Sequence, residues 1–346
     1  DLKQTKVLEV PRYIKNTSKV LQALNKNMAA AFALKLFETP IKYKMPKREQ
    51  KMYEVSHKSK ITLPESGKEI VVYENKFGPK KVLLVHGWNG RGTQLVSIAK
   101  AFKELNYTIV SFDAPGHGKS SKTNANMKHF IEAIFELDKK HNGFDVLIGH
   151  SLGGMSVINA LGRGLQTKKA VIIGSGNTTK AITEDFLTTI GMKQKLTPTL
   201  INLFERKYND KMTNYDVADQ ALKVNVPVLI IHDKNDKDVP FTAAEGISKN
   251  LKNNELLMIF PEGTRNGMAK GVKPKDGAIK LAIRANVPIV PVGVQGNFKL
   301  FRKVKVNIGK PIYYGKYKDE VNNKEVMDKL TEELMKTIVK LRDERI

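Results

Sequence analysis

The sequence contains no cysteine, a single tryptophan and no long apolar run. The absence of cysteine excludes disulfides, thiolate metal sites and a cysteine nucleophile, and it fits a reducing compartment. No apolar run approaches the roughly 18 residues that a membrane-spanning helix needs, so no such helix is predicted. The chain begins at Asp1 with mixed polar residues, which is not the pattern of a secretory signal. We therefore expect a cytoplasmic protein.

Acidic residues are few relative to basic ones, with 35 Asp and Glu against 59 Lys and Arg and a formal net charge of +24. Residues 251–346 carry +9 of this charge and the remainder carries +15, so the excess is spread along the chain. Such an excess favours encounters with anionic partners. Basic residues do not interleave with aromatic ones, which argues against nucleic acid as a partner. Most of the charge is expected to be a solvated lysine-rich surface, with peripheral contact to an anionic membrane as a further expectation.

The first 60 residues are predicted to form a helical extension followed by a basic connector. Residues 18–37 are typical of a helix that ends before Pro40, with Ser18 as its N-cap. The helix could lie on a membrane surface, but packing against the main domain is favoured because its polar face is short. Residues 42–60 are rich in lysine and are interpreted as the connector.

Residues 61–251 alternate short apolar strands with helices. This alternation predicts an α/β fold, a mostly parallel sheet with helices on both faces. Residues 178–222 interrupt the pattern with polar, helical sequence and are interpreted as a helical insertion or lid. The strands are predicted at 70–73, 82–85, 108–112, 145–148, 170–173 and 226–231, and helices at 94–105 and about 127–140.

A G-x-S-x-G motif, Gly149-His150-Ser151-Leu152-Gly153, directly follows the strand predicted at 145–148. Its glycines permit the tight turn that lifts Ser151 above the sheet, and the following helix N-terminus favours a developing oxyanion. His86-Gly87-Trp88 follows the strand at 82–85. The backbone N–H groups of Trp88 and Leu152 are therefore the predicted oxyanion donors.

A third segment, Asp113-Ala114-Pro115-Gly116-His117-Gly118-Lys119-Ser120, follows the next strand. Over about residues 60–250 these motifs resemble the α/β-hydrolase family. The resemblance implies a serine hydrolase without a cofactor, acting on a carboxylic ester or thioester. It places the catalytic acid on Asp236, in a loop where Asp233 replaces the usual glycine of the family. Asp236 would orient the catalytic histidine and stabilise its imidazolium.

The catalytic histidine itself is missing, because the family places it after the acid and every histidine of this chain precedes Asp236. A serine nucleophile without its base loses most of its activity. The hydrolase is therefore predicted to be impaired. Three histidines are expected to be ordinary surface residues (His57, His129 and His141), and four lie within motifs (His86, His117, His150 and His232).

The sequence after residue 255 carries a different set of motifs. Phe260-Pro261-Glu262-Gly263-Thr264-Arg265 and, later, Val287-Pro288-Ile289-Val290-Pro291-Val292 are similar to the glycerolipid (1-acyl-glycerol-3-phosphate) acyltransferase family. The resemblance implies that Glu262, Gly263, Thr264 and Arg265 bind the phosphate of the acceptor, with acyl-CoA or an acyl-carrier protein as co-substrate. Arg265 suits this role because its planar fork binds phosphate oxygens in pairs.

The catalytic H-x4-D motif of that family is also absent, since His141 and His232 have an aspartate four positions later instead of five. We interpret the chain as a chimera in which an α/β-hydrolase joins an acyltransferase-like C-terminal fragment (residues 252–346) near 250–258. A gene fusion with deletion, an assembly artefact and a constructed sequence all fit this interpretation. The three candidate functions are an impaired serine hydrolase, a glycerolipid acyltransferase and a non-catalytic binding scaffold, in an unknown oligomeric state.

Overall fold

The computed structural model describes residues 10–232, 239–251, 256–259, 274–295 and 305–344. These residues form two compact units, one containing the described residues up to Met258 and the other those from Ile259 onward. The division falls within a strand, and the boundary expected near residue 252 stays a prediction. None of the helices in these ranges is both long and apolar enough to cross a membrane.

The first unit is built on an eight-stranded sheet with the strand order β1-β2-β4-β3-β5-β6-β7-β8. The strands from β4 through β3, β5 and β6 to β7 pair in parallel, whereas β1 and β2 are antiparallel. The next strand along the chain, β4, lies on one side of β3, and β5 lies on the other side, so the order in which strands are added to the sheet reverses at β3. In α/β sheets, ligands bind beside the carboxyl ends of the strands at such a point. The strands are β1 His57–Thr62, β2 Glu69–Asn75, β3 Lys80–Val85, β4 Tyr107–Asp113, β5 Val146–His150, β6 Lys169–Ile173, β7 Val228–His232 and β8 Leu256–Ile259.

Helices cover both faces of this sheet, as the alternating residues of β3 show. Leu83 and Val85 belong to the apolar core that includes helices α5 and α6, whereas Val82 and Leu84 pack with α4 on the other face. The predicted mostly parallel sheet with helices on both faces is confirmed. The helices of this unit are α1 Arg12–Leu24, α2 Lys26–Phe37, α3 Lys47–Val55, α4 Val96–Glu104, α5 Met127–His141, α6 Leu152–Gly162, α7 Thr179–Thr189, α8 Thr197–Tyr208, α9 Val217–Ala221 and α10 Thr242–Asn250.

The N-terminal extension differs from its prediction. The single helix expected over 18–37 is a pair, α1 and α2 (the N-terminal hairpin), divided at Asn25, whose side chain accepts the N–H groups of Asn27 and Met28. Ser18 is not an N-cap but lies buried in the middle of α1. Asparagine is among the best N-capping residues, which explains why the second helix begins there. The expected connector contains α3 and most of β1.

The helical insertion (residues 178–222) contains α7, α8 and α9, with short 3₁₀ turns between them. Its role as an insertion or lid stays a prediction. It shares an apolar core with the N-terminal hairpin. Ala29, Ala30 and Ala33 of α2 pack in this core with Leu200 and Phe204 of α8. Small side chains on α2 allow the two helices to approach closely, so the hairpin packs on the insertion.

The second unit contains an antiparallel pair of strands and two helices: β9 Val292–Gln295, β10 Lys305–Ile308, α11 Gly277–Ala285 and α12 Lys324–Asp343. Gly293 of β9 lies so close to α12 that a Cβ on this glycine would come within 2.3 Å of the backbone nitrogen of Arg342. The 20-residue helix α12 was not predicted from the sequence. The apolar core of the second unit is small and contains Ile279, Ile283, Tyr314, Met327, Leu330 and Leu334.

Candidate active site

Ser151 occupies a strained turn between β5 and α6 (residues 149–153, the nucleophile turn). Its backbone has φ +52° and ψ −120°, in a region that only glycine adopts without cost. The Ser151 N–H donates to the carbonyl of Ile173 in the neighbouring strand β6 at 2.8 Å, and the Ser151 carbonyl accepts the Met155 N–H at 3.1 Å. The sheet and the helix thus hold the turn in place from both sides.

Two glycines allow this turn to form against the sheet. A Cβ on Gly149 would lie 2.4 Å from the carbonyl oxygen of Gly153, and a Cβ on Gly153 would lie 2.3 Å from that of Val85. Both distances are far shorter than any real contact, and the opposing atoms are backbone atoms that cannot rotate away. The start of α6 therefore packs directly against the end of β3.

The loop after β3 passes beside Ser151. β3 and β5 are neighbours with Val85 opposite Gly149, and a Cβ on Gly87 would lie 3.1 Å from the Cβ of Ser151. The structure thus brings together the two segments that carry Trp88 and Leu152, and both residues line the same cavity as Ser151. The roles of their N–H groups as oxyanion donors stay predictions.

His86 connects the loops that follow β3 and β4. Its Nδ1 donates to the carbonyl of Gly87 at 2.7 Å, and its Nε2 accepts the N–H of Ala114 at 3.1 Å. Burial lowers the pKa of His86 to about 4, which keeps the ring neutral near pH 7. His86 is therefore a structural residue of this site.

Asp113 organises the third motif. Its carboxylate accepts the N–H groups of Gly92 and Lys119, both at 2.6 Å, and the hydroxyl of Tyr73 at 2.7 Å. Burial raises the pKa of Asp113 above its ordinary value. A Cβ on Gly118 would lie 2.2 Å from this carboxyl group, which explains the glycine there. The buried carboxyl thus connects strand β2 with the loops that follow β3 and β4.

The other histidines lie in varied environments, and two differ from the predicted surface position, since the His141 side chain is only 11% exposed. His129 is not a surface residue: it is 5% exposed, and its Nδ1 accepts the N–H of Asn126 at the start of α5. Burial lowers the pKa of His129 to about 4. His117 is buried beside Trp88, with ring centroids 5.0 Å apart, and burial lowers its pKa to about 3.

The expected acid, Asp236, lies outside the described residues, as do Glu262, Gly263, Thr264 and Arg265. The two ends of the segment that contains Asp236 are described. His232 Nε2 donates to the carbonyl of Val239 at 2.9 Å. This hydrogen bond joins the end of β7 to the chain that leads into α10.

Ser151 opens into a cavity of about 550 Å³ (the Ser151 cavity), between the nucleophile turn and the helical insertion. No histidine is present among the described residues that line it, and Lys128, Glu184 and Asp185 are its charged members. Phe37, the last residue of α2, also lines it, a contribution that sequence analysis missed. The apolar wall of the Ser151 cavity includes Phe37, Trp88, Met127, Met155, Ile182, Phe186, Phe204, Met212 and Val239.

Comparison with known proteins finds two families. The model of the α/β-hydrolase family matches residues 82–252, and the model of the acyltransferase family matches residues 215–295. The protein named "Putative esterase/lipase 2" of Mycoplasma genitalium is 25% identical over 244 residues, which are 59% of this chain and 88% of that protein. Among solved structures, the esterase Pf2001 of Pyrococcus furiosus is 16% identical, with a TM-score of 0.49, covering 64% of this chain and 88% of that one.

The acyltransferase similarity is shorter. The 1-acyl-sn-glycerol-3-phosphate acyltransferase of Cocos nucifera is 34% identical over 85 residues, so this chain covers 28% of that protein's length. The two family matches overlap over residues 215–252. Within the overlap, β7 pairs in parallel with β6, so this part belongs structurally to the eight-stranded sheet. The chain thus contains a segment similar to the α/β-hydrolase family, which continues into a segment similar to the acyltransferase family.

Proposed function

We propose that this protein is a serine hydrolase that cleaves a carboxylic ester or thioester through Ser151. The observation that carries the proposal is the strained backbone of Ser151 at the wall of a largely apolar cavity. Strain of this kind costs about 1–3 kcal/mol and persists where the surrounding structure enforces it, typically at functional sites. The α/β-hydrolase segment and the relative named an esterase/lipase support the same reaction class.

In the proposed reaction, the Ser151 hydroxyl oxygen attacks the carbonyl carbon of the substrate and loses its proton. The N–H groups of Leu152 and Trp88 stabilise the resulting oxyanion, and the start of α6 adds its positive dipole end. Collapse of this intermediate expels the alcohol or thiol and leaves an acyl group on Ser151. Water then attacks the acyl group and releases the acid.

This site differs from a complete catalytic triad in the group that accepts the proton of Ser151, which in a triad is a histidine. Every histidine of the chain precedes Asp236, and none of the described cavity-lining residues is a histidine. A positioned general base contributes about 10²- to 10⁴-fold to such reactions. We therefore propose a slow hydrolase whose acylation depends on bases from the solvent, with Asp236 as the acidic member of the incomplete triad.

The cavity favours substrates with an acyl chain. Its apolar wall would bury methylene groups, each worth about 0.8 kcal/mol, or about fourfold in binding. We expect activity on p-nitrophenyl esters to rise from acetate to octanoate. Ile182→Trp, which fills part of the cavity, should reduce activity on the octanoate much more than on the acetate. Equal losses on both esters would contradict this assignment of the acyl site.

A fluorophosphonate probe tests the nucleophile directly. We expect slow labelling that is lost in Ser151→Ala and kept in the matched control Ser156→Ala, which changes a buried serine of the same helix. Added imidazole should accelerate labelling of the wild type because it can replace the missing base. Labelling that persists in Ser151→Ala would refute the assignment. No labelling, even with imidazole, would favour the non-catalytic binding scaffold.

Acyl transfer to a lysophospholipid is the second candidate function, supported by the family match at residues 215–295. In this reaction Glu262, Gly263, Thr264 and Arg265 would bind the acceptor phosphate, and acyl-CoA or an acyl-carrier protein would supply the acyl group. The assay is transfer from acyl-CoA to lysophosphatidic acid. Transfer that survives in Ser151→Ala and in the control Arg284→Ala, but disappears in Arg265→Ala, would replace the hydrolase proposal.

A further inference from the structure

The N-terminal hairpin leaves a row of apolar side chains exposed. Tyr13 is 70% exposed, Val20 57%, Leu24 73% and Met28 56%. Tyr13, Val20 and Leu24 are spaced seven and four residues apart, so they lie on one face of α1. Met28 follows in the first turn of α2. These four residues are called the apolar row below.

The apolar row is distinct from the face of α1 that packs on the rest of the unit. Ile14 and Leu21 contact the core shared with the helical insertion, and Ser18 between them is completely buried. The hairpin therefore already has its packing face, and the row is additional apolar surface. A single exposed apolar residue needs no explanation, but several on the same face of one helix indicate an interaction site.

The charge around the row has one sign. Residues 10–37 contain Arg12, Lys15, Lys19, Lys26 and Lys35, all exposed, and no aspartate or glutamate. Two other stretches of the chain, residues 76–103 and 277–318, also carry basic residues without acidic ones, so the exposed apolar side chains distinguish the hairpin. A helix with an apolar face, flanking lysines and no acidic residue complements a surface that is negatively charged outside and apolar just beneath, which is the profile of an anionic bilayer.

We propose that the outer face of the N-terminal hairpin docks on an anionic lipid bilayer. Val20, Leu24 and Met28 enter the boundary between headgroups and acyl chains, and the Tyr13 ring lies at headgroup level. The lysines extend to the lipid phosphates while their aliphatic stems cover apolar surface.

Flotation of the full chain with vesicles tests the proposal. We expect binding to vesicles of phosphatidylcholine with 30% phosphatidylglycerol, weaker binding in 0.5 M NaCl, and little binding to phosphatidylcholine alone. Lys19→Gln with Lys26→Gln should weaken binding about 25-fold, taking about fivefold for each lysine near the surface. Val20→Ser with Leu24→Ser should weaken it by about tenfold or more.

Matched controls come from the exposed end of α4. Lys100→Gln with Lys103→Gln changes the net charge equally, and Leu105→Ser removes a similarly exposed leucine. Both should bind like the wild type, as should Ser151→Ala, which separates this proposal from the hydrolase function. Thermal melting verifies that every variant folds.

Three results would overturn the proposal. The first is no binding to anionic vesicles, and the second is equal weakening by the α4 controls. The third is a dimer in light scattering without vesicles that Val20→Ser with Leu24→Ser converts to a monomer, because the row would then bind a second copy of this chain.

Discussion

The strain at Ser151 predicts that glycine is more stable than alanine at this position. Ser151→Ala and Ser151→Gly both remove the hydroxyl, and they differ only in the Cβ. With φ at +52° and ψ at −120°, that Cβ is held in a sterically disfavoured position, and glycine has none. The comparison between these two variants therefore isolates the backbone strain from the loss of the hydroxyl group.

The expected difference follows from two opposing terms. Relief of the strain favours glycine by about 1–3 kcal/mol. The greater freedom of glycine in the unfolded chain opposes it by about 0.4–1 kcal/mol. The glycine variant should therefore be about 1 kcal/mol more stable than the alanine variant. For a unit of this size, 1 kcal/mol corresponds to a melting temperature higher by about 2–4 °C.

Ser156 provides the matched control, because it lies buried in the interior of the same helix, α6. There Ser156→Gly should be about 1 kcal/mol less stable than Ser156→Ala, the usual cost of glycine within a helix. Unfolding can be followed by the fluorescence of Trp88, the single tryptophan, which lies in the Ser151 cavity. If glycine is the less stable residue at both positions, Ser151 is not strained and the central argument for its role fails.

Three further perturbations test the packing around the site. Gly153→Ala should destabilise by about 2 kcal/mol or more and abolish labelling of Ser151, because its Cβ would overlap the backbone of β3. Gly154→Ala should lower the melting temperature much less, because its Cβ would lie 3.1 Å from the Ser175 side chain and 3.2 Å from the carbonyl oxygen of Gly149. His129→Gln keeps an acceptor for the N-cap but does not titrate. Since the pKa of His129 is lowered from 6.5 to about 4, the unfolded chain binds its proton first and wild-type stability falls as pH drops through this range. The variant should avoid about 2 kcal/mol of that loss between pH 7 and 4.5, measured by urea unfolding, and identical pH profiles would contradict the burial argument. Glu38→Gln removes the carboxylate that pairs with Lys207 at 2.5 Å and should lower urea-unfolding stability by about 1–3 kcal/mol, with no change as the contrary result.

The central sheet was predictable because its strands are nearly continuous apolar runs. Val82–Val85 is buried on both faces, which is the pattern that a parallel strand requires. The N-terminal hairpin was only partly predictable. Asn25 divides two helices within a stretch of good helix formers. Ser18 is buried on the face of α1 that carries Ile14 and Leu21, which pack on a core with residues of the insertion far away in the chain. Local preferences do not report such distant contacts.

The same distinction between local sequence and distant contacts applies to two of the histidines. His86 lies in a recognisable motif, whereas His129 lies in a segment without one. Both prove to be buried, with pKa values lowered to about 4. The environment of His129 depends on how α5 packs against other parts of the chain. The hydrophobic periodicity of a single segment does not specify that packing.

The sequence by itself determined the backbone geometry of the nucleophile turn and showed that no histidine follows Asp236 in these 346 residues. The five consecutive residues from Gly149 to Gly153 are enough to specify this turn, because it is a local backbone geometry that few residue types tolerate. Only the tertiary structure decided what surrounds Ser151. The cavity wall combines Phe37 with Phe204, which are far apart in the chain, and they meet because α2 packs on α8. A cavity is the space left by long-range packing, so no single segment encodes it.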